Sequence, residues 1–161
     1  MVQKKENLLF LLARRTKELR TSAGLSQDAF AKLIGRHRTL ISGVEVGEKN
    51  LALDTLDLIA AGLGVEAVSL FEDNVIPRDT ENLLSLRERV VANVRILRAA
   101  RGFSQDELSE LAELSRNYVT RLESQKPNAD LKHLEKLADA LGIPIGRLIG
   151  PPACDHKVSK R

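Results

Sequence analysis

An all-α protein built from one helical unit used twice is what this chain predicts, on three observations. First, residues 19–71 lie on residues 97–149 at a constant offset of 78 without a gap. Sixteen of the 53 aligned positions are identical, among them Leu19/Leu97, Arg20/Arg98, Ser26-Gln27-Asp28/Ser104-Gln105-Asp106, Glu45/Glu123, Asn50/Asn128 and Leu63-Gly64/Leu141-Gly142. Second, Trp is absent and aromatics make up 3% of the residues, so any core is Leu, Ile, Val and Ala, which favours helices over sheets. Third, no segment alternates apolar and polar residues with period two, so no sheet is expected.

The unit is about 65 residues long, a size at which domains fold alone with modest stability. Solenoid repeats need three or more copies, so two tandem globular domains is the better reading. Five helical segments recur in each half, near 6–22, 27–34, 38–46, 54–62 and 66–71, then near 82–100, 105–112, 116–124, 131–140 and 144–149. Gly24 and Gly102 follow the first helices, where a left-handed residue closes the turn. Ser26 and Ser104 are the N-caps of the second helices, and Ser104 with Glu107 forms a capping box that Ser26, with Ala29, lacks. Gly62, Gly64 and Gly142 punctuate the ends of the fourth helices.

Residues 72–80 are polar, carry Pro77 and break the pattern. The predicted organisation is a first domain over 1–73, a linker over 74–80, a second domain over 81–150 and a frayed basic tail over 151–161. Nine extended residues reach at most about 30 Å. Glu81-Asn82-Leu83-Leu84 echoes Glu6-Asn7-Leu8-Leu9, which suggests that both first helices begin alike.

Net charge is +3, with +1 in residues 1–78 and +2 in residues 79–161, which permits a nucleic-acid partner without arguing for one. Cys154 is the single cysteine, so no disulfide forms within the chain, as suits a reducing cytosol. The apolar run from Leu8 to Ala13 is too short to span a bilayer and runs into Arg14-Arg15, so a cytoplasmic protein with no membrane segment is expected. Cys154 and His156 lack the four-ligand spacing of a zinc site, and His133 reads as a surface residue. No catalytic constellation or phosphate-cradling glycine loop stands out, so no enzyme, cofactor or metal is predicted.

The central feature is a pair of short helices joined by a tight turn. Gln27 to Ile34 leads through Gly35 into Arg38 to Val46, and Gln105 to Ala112 leads through Glu113-Leu114 into Arg116 to Glu123. Ala31, Ile41 and Val44 are expected to pin the first pair, and Ser109, Val119 and Leu122 the second. Such a pair can present the exposed face of its second helix to a major groove.

Ser-Gln-Asp-Glu-Leu at 104–108, Leu-Ser-Arg-Asn-Tyr-Val-Thr-Arg-Leu-Glu at 114–123, then Asn128, Leu131 and the run from Leu134 to Ile143 resemble the phage repressor/Cro-like helix-turn-helix family, often called XRE-like. The resemblance covers nearly all of residues 83–149, and residues 12–71 share it with more departures. It implies a five-helix bundle that binds an operator, mostly as a dimer.

By position, the resemblance implies base contacts from Arg116, Asn117, Thr120 and Arg121. An Arg fork suits guanine and Asn suits adenine. In the first half the corresponding contacts are Arg38, Thr39 and Ser42, with His37 beside them. Phosphate contacts are implied for Gln27, Gln105, Arg36, Lys49, Lys126 and Asn128. Tyr118 either packs on the backbone or stands in the groove. Arg20 with Glu45, and Arg98 with Glu123, are implied to be partly buried structural ion pairs.

The halves differ as readers. Gly43 stands where the second half has Arg121, Glu48 opposes Lys126, Arg36 opposes Leu114, and His37 opposes Ser115, the expected cap. Either the first domain recognises a different sequence through Arg36 and Arg38, or it has drifted toward phosphate grip or protein contact. The expected function is a sequence-specific regulator of transcription, a repressor, bound to a double-stranded DNA operator as a homodimer. The alternative is an interaction or antitoxin-like module in which one helix-turn-helix unit docks a protein partner through an apolar patch of Leu51 and Leu53, or of Leu70 and Phe71.

Overall fold

A computed structural model describes residues 7–81 and 84–152. In chain order these form α1 (Leu8–Ser22), α2 (Gln27–Leu33), α3 (Arg38–Glu45), α4 (Leu53–Gly62), a 3-10 turn (Ala67–Leu70), α5 (Leu86–Ala100), α6 (Gln105–Leu111), α7 (Tyr118–Gln125), α8 (Leu131–Leu141) and α9 (Gly146–Ile149). The all-α reading and the tandem repeat hold. The fifth segment of the first half is a single 3-10 turn rather than an α-helix. Among the described residues no helix is long and apolar enough to cross a membrane.

Local chemistry sets the helix starts. The Asn7 side chain accepts from the Leu9 N–H at 2.9 Å and opens α1. Ser85 and Glu88 form a reciprocal capping box at the head of α5, with Ser85 N–H donating to Glu88 Oε2 at 3.0 Å. Thus α5 starts at Leu86, in phase with Leu8 by the offset of 78. The echo at residues 81–84 does not mark its start; Asn82 and Leu83 lie outside the described residues. Ser26 and Ser104 cap α2 and α6 as expected, and only Ser104 closes the box with Glu107.

Each first helix also holds the end of its own unit. Arg15 donates to the Ser69 carbonyl at 3.2 Å. Asn93, at the equivalent position, donates to the carbonyls of Leu148 and Gly150 at 2.8 and 3.0 Å. The expected linker is tied down rather than loose. Val65 pairs with Pro77 in an antiparallel bridge, Glu66 N–H donates to the Ile76 carbonyl, and Arg78 N–H donates to the Gly64 carbonyl. The basic tail, with Cys154 and His156, falls outside the described residues from 153 onward.

The two cores are continuous. Phe30, Ile41, Leu56 and Ile59 on one side and Leu108, Leu122, Leu134 and Leu137 on the other belong to one buried cluster. Where the halves meet, the backbone bonds come in equivalent pairs. Leu53 N–H donates to the Ala129 carbonyl at 2.9 Å and Leu131 N–H to the Leu51 carbonyl at 2.8 Å. Asp54 N–H donates to Asn128 Oδ1 at 3.0 Å and Lys132 N–H to Asn50 Oδ1 at 3.1 Å. Every partner in one bond has its 78-offset counterpart in the other, which is the signature of a local two-fold axis. Ala52 and Asp130, themselves equivalent, face each other in an isolated antiparallel bridge on that axis.

Leu51, Leu53, Leu70 and Phe71 are buried to between 0% and 5% exposure in the folded chain, so they offer no apolar docking patch. The interaction-module alternative loses the surface it was assigned.

Candidate nucleic-acid interface

The inner faces of α3 and α7 are anchored by apolar side chains, which turns their other faces outward. Ile41 and Val44 are buried under α3, and Val119 and Leu122 under α7. Ala31 and Ser109 are the small residues behind them, as expected. Ser109 adds a bond that Ala31 cannot make: its Oγ accepts from the Val119 N–H at 3.1 Å and donates to the Gln105 carbonyl at 2.8 Å.

Arg116, Asn117, Thr120 and Arg121 are all exposed, and so are Arg36, His37, Arg38, Thr39 and Lys49; Ser42 is half-buried. The structure corrects the start of α7. Arg116 and Asn117 stand in the turn before it, and Ser115 does not cap it with its side chain. Asn117 has φ −99° and ψ 17°, so the regular ladder begins at Tyr118. The Ser115 hydroxyl instead accepts from Arg121 Nη2 at 3.1 Å, which lays the guanidinium along the outer face of the helix.

Behind each outer face sits the same Arg–Glu–Gln joint, to which the second half adds Arg95, its Nε 3.5 Å from Glu123 Oε2. Arg20 Nε donates to Glu45 Oε1 at 2.5 Å, and Gln27 Nε2 donates to Glu45 Oε2 at 2.8 Å. Arg98 Nε donates to Glu123 Oε1 at 2.9 Å, and Gln105 Nε2 to Glu123 Oε2 at 2.7 Å. Burial alone would push both carboxyls up; the Arg and Gln hydrogen bonds outweigh it and hold Glu45 and Glu123 below the usual glutamate value. The structural role of both ion pairs is therefore seen directly. Through these bonds the Gln27 and Gln105 side chains brace the turn. Gln105 Oε1 further accepts from the Thr120 hydroxyl at 3.1 Å, which fixes an outward residue of α7.

The two faces are finished differently. A side chain built on Gly43 would come within 2.6 Å of Lys49 Cε, because the Lys49 stem lies over that glycine. Lys49 thus covers the place that Arg121 holds in the second half. Lys126, assigned to phosphate, closes α7 in a left-handed conformation, and its Nζ lies 3.4 Å from Glu88 Oε1. Asn128 spends its carbonyl on the seam with Asp54. Tyr118 packs rather than standing free: its ring stacks on His133 at 5.1 Å and 18°. Burial, reinforced by Asp130, raises its phenol to about 12. His133 keeps a partly exposed side chain at the surface, with its Nδ1 2.9 Å from Asp130 Oδ1.

Two shallow grooves flank the axis at equivalent places. One is lined by Arg36, Thr39 and Lys49 with Leu51 and Ala52, and the other by Tyr118, Arg121 and Gln125 with Ala129 and Asp130. An outward helix beside each groove, backed by a locked helix pair, defines a DNA-binding helix-turn-helix protein. The family described as Helix-turn-helix matches residues 17–70 and 94–148, more than half of the chain, and the chain belongs to it. It is a DNA-binding regulator and not an enzyme.

The chain is 35% identical over 77 residues to a hypothetical transcription factor of Neisseria meningitidis serogroup B, covering 48% of this chain and 73% of that protein. It is 32% identical over 71 residues to the control protein C.BamHI of Bacillus amyloliquefaciens, covering 44% of this chain and 88% of that protein. The solved structure of the Neisseria transcription factor NHTF aligns at 33% identity over 45% of this chain and 83% of that one, with a TM-score of 0.41. Each match is about one unit long, so this chain carries two units where those proteins are matched by one.

Proposed function

We propose that the chain is a sequence-specific regulator that reads double-stranded DNA with α3 and α7, one helix on each side of its internal two-fold axis. The observation that carries this reading is the symmetric pairing of the halves. It sets two outward helices about one axis, as two half-sites on a duplex require. The pairing expected of a homodimer is supplied within one chain.

In the second half, Arg116, Asn117, Thr120 and Arg121 read bases, with Arg121 aligned by Ser115 and Thr120 by Gln105. In the first half Arg38, Thr39 and Ser42 read bases, while Arg36 and Lys49 take phosphate. Lys126 takes phosphate by leaving Glu88. Gln27, Gln105 and Asn128 act indirectly, by holding the turn and the seam. In this reading the regulator acts as a repressor, by occluding polymerase where its site overlaps a promoter.

Selection of bound duplexes from a random pool tests the proposal. The expected product is a site with two short elements about 34–36 Å apart, one turn of the duplex. N117A/R121A is expected to abolish preference at one element and leave the other readable. Binding that falls with salt but selects no sequence would reject base reading.

A further inference from the structure

Bonds at the axis of the seam are matched, while the partners away from it are not. Glu66, just before the 3-10 turn, meets Arg89 of α5, and their side chains are only 4% and 5% exposed. The equivalents of Glu66 and Arg89 are Pro144 and Leu11, which line one cavity together with Phe71 and Ile145. One flank of the seam therefore closes with a buried ion pair, while at the other the two equivalent positions are apolar, in a cavity whose lining also includes Glu135 and Asp139. Asp54 of α4 holds the Arg87 guanidinium by two oxygens. The equivalents of Asp54 and Arg87 are Lys132 and Leu9, which form no ion pair with each other, since leucine carries no charge. Val68 and Gly146, also equivalent, meet near the axis: a Cβ on Gly146 would lie 3.0 Å from Val68 Cγ2 and collide with the Glu72 carboxylate.

We infer that this seam is sided: a first half pairs with a second half, and neither pairs with its own kind. Two first halves joined in the same way would set each Glu66 against Leu11 with no cation, and crowd Val68 against Val68. Two second halves would bury each Arg89 against Pro144, place Arg87 beside Lys132, and leave a gap between facing Gly146 residues. A buried charge without its partner is strongly unfavourable, and like charges at a joint add to the cost. The code is simple. The first half contributes the acids Asp54 and Glu66, and the second contributes the bases Arg87 and Arg89. The surface that fits each half is that of the other kind. On DNA, a consequence that rests on the reading above, the two heads come in a fixed order, so the operator is an ordered pair of unlike half-sites.

Cysteine pairs in the full chain test this, on a C154A background. Ala52 and Asp130 face each other between two flanking hydrogen bonds. In such pairs the Cα atoms are about 4.5 Å apart, within the span a disulfide needs. Mild oxidation of A52C/D130C is expected to give a closed monomer that runs faster on a non-reducing gel. A52C alone and D130C alone are expected to stay monomeric at the same protein concentration. A linked dimer from either single variant would show like halves meeting and overturn the inference. A double variant that fails to close, or that gives chiefly linked dimers, would overturn the internal pairing.

The exposed pair supplies a second arm that does not threaten folding. D54R is expected to speed amide exchange at Leu53 and Leu131 by about tenfold, while the core amide of Leu134 is unchanged. D54R/R87D should restore slow exchange, and no restoration would refute the charge code. Both arms are read without DNA. If they succeed while duplex selection returns no sequence, the reading of DNA fails and the sided seam stands.

Discussion

The two halves share a backbone and a buried joint, yet they differ at the residues that face outward. In both, an arginine of the first helix and a glutamine of the second converge on one glutamate of the third. Outside that joint the second half keeps an Arg at position 121, aligned by Ser115, where the first has Gly43 under the stem of Lys49. The joint fixes how each third helix is held. The outer residues have more room to diverge because they lie outside the buried joint and make local contacts, as Lys49 does over Gly43 and Arg121 with Ser115.

Removing the shared joint is expected to have the largest effect. E45A should destabilise the protein by about 3–5 kcal/mol, because a broken buried pair leaves a stranded charge. The Arg20 side chain is 8% exposed, against 19% for Arg98, so Arg20 is less able to reach water. E123A should therefore cost less than E45A, nearer the lower end of that range, in urea unfolding at neutral pH. Acid should weaken the joint in the same sense. Burial raises both carboxyls, but their hydrogen bonds lower them more, so the unfolded chain takes up protons first as pH falls. Stability should be level above the ordinary glutamate value and fall as pH drops through the lower folded values. Each alanine variant should show a shallower acid limb than the parent.

The next effect in size separates the two faces. R121A should cost about 1–3 kcal/mol of discrimination at one base pair of the second half-site, measured as relative affinity for matched and mismatched duplexes. K49A should weaken binding to all duplexes alike and lower the salt dependence by about one charge. Equal behaviour of the two variants would mean that Lys49 also reads a base.

The smallest effect concerns the turn between second and third helices. Gly35 and Glu113 occupy it with φ of 63° and 52°. Glycine adopts that conformation freely and glutamate does not. E113G should stabilise the protein by up to about 1 kcal/mol, while G35A should destabilise it by a similar amount, in the same urea assay.

Much of this molecule is legible from local chemistry. Ser26, Ser104 and the glycines after the first helices mark boundaries because caps and left-handed turns depend on a few adjacent residues. Ile41, Val44, Val119 and Leu122 are legible because a helix has one buried stripe. Arg20, Glu45, Arg98 and Glu123 follow from the repeat and the family resemblance together. The roles of Gln27, Gln105 and Asn128 are less so, since a polar side chain at a helix start or a loop serves a phosphate or a neighbouring element equally well. The identity of Asn50 and Asn128 was a signal available in the repeat, but it does not say that each would cap the other half's fourth helix.

The order of residues alone determined two helical units, their caps, their apolar stripes and the outward residues of each third helix, because these follow from spacings of a few positions along one chain. Tertiary structure decided that the units meet about an axis, that Glu66 finds Arg89 and Asp54 finds Arg87, and that Lys49 covers Gly43. Those outcomes depend on which surfaces can be buried together without stranding a charge, and residues tens of positions apart settle that only once both units are folded.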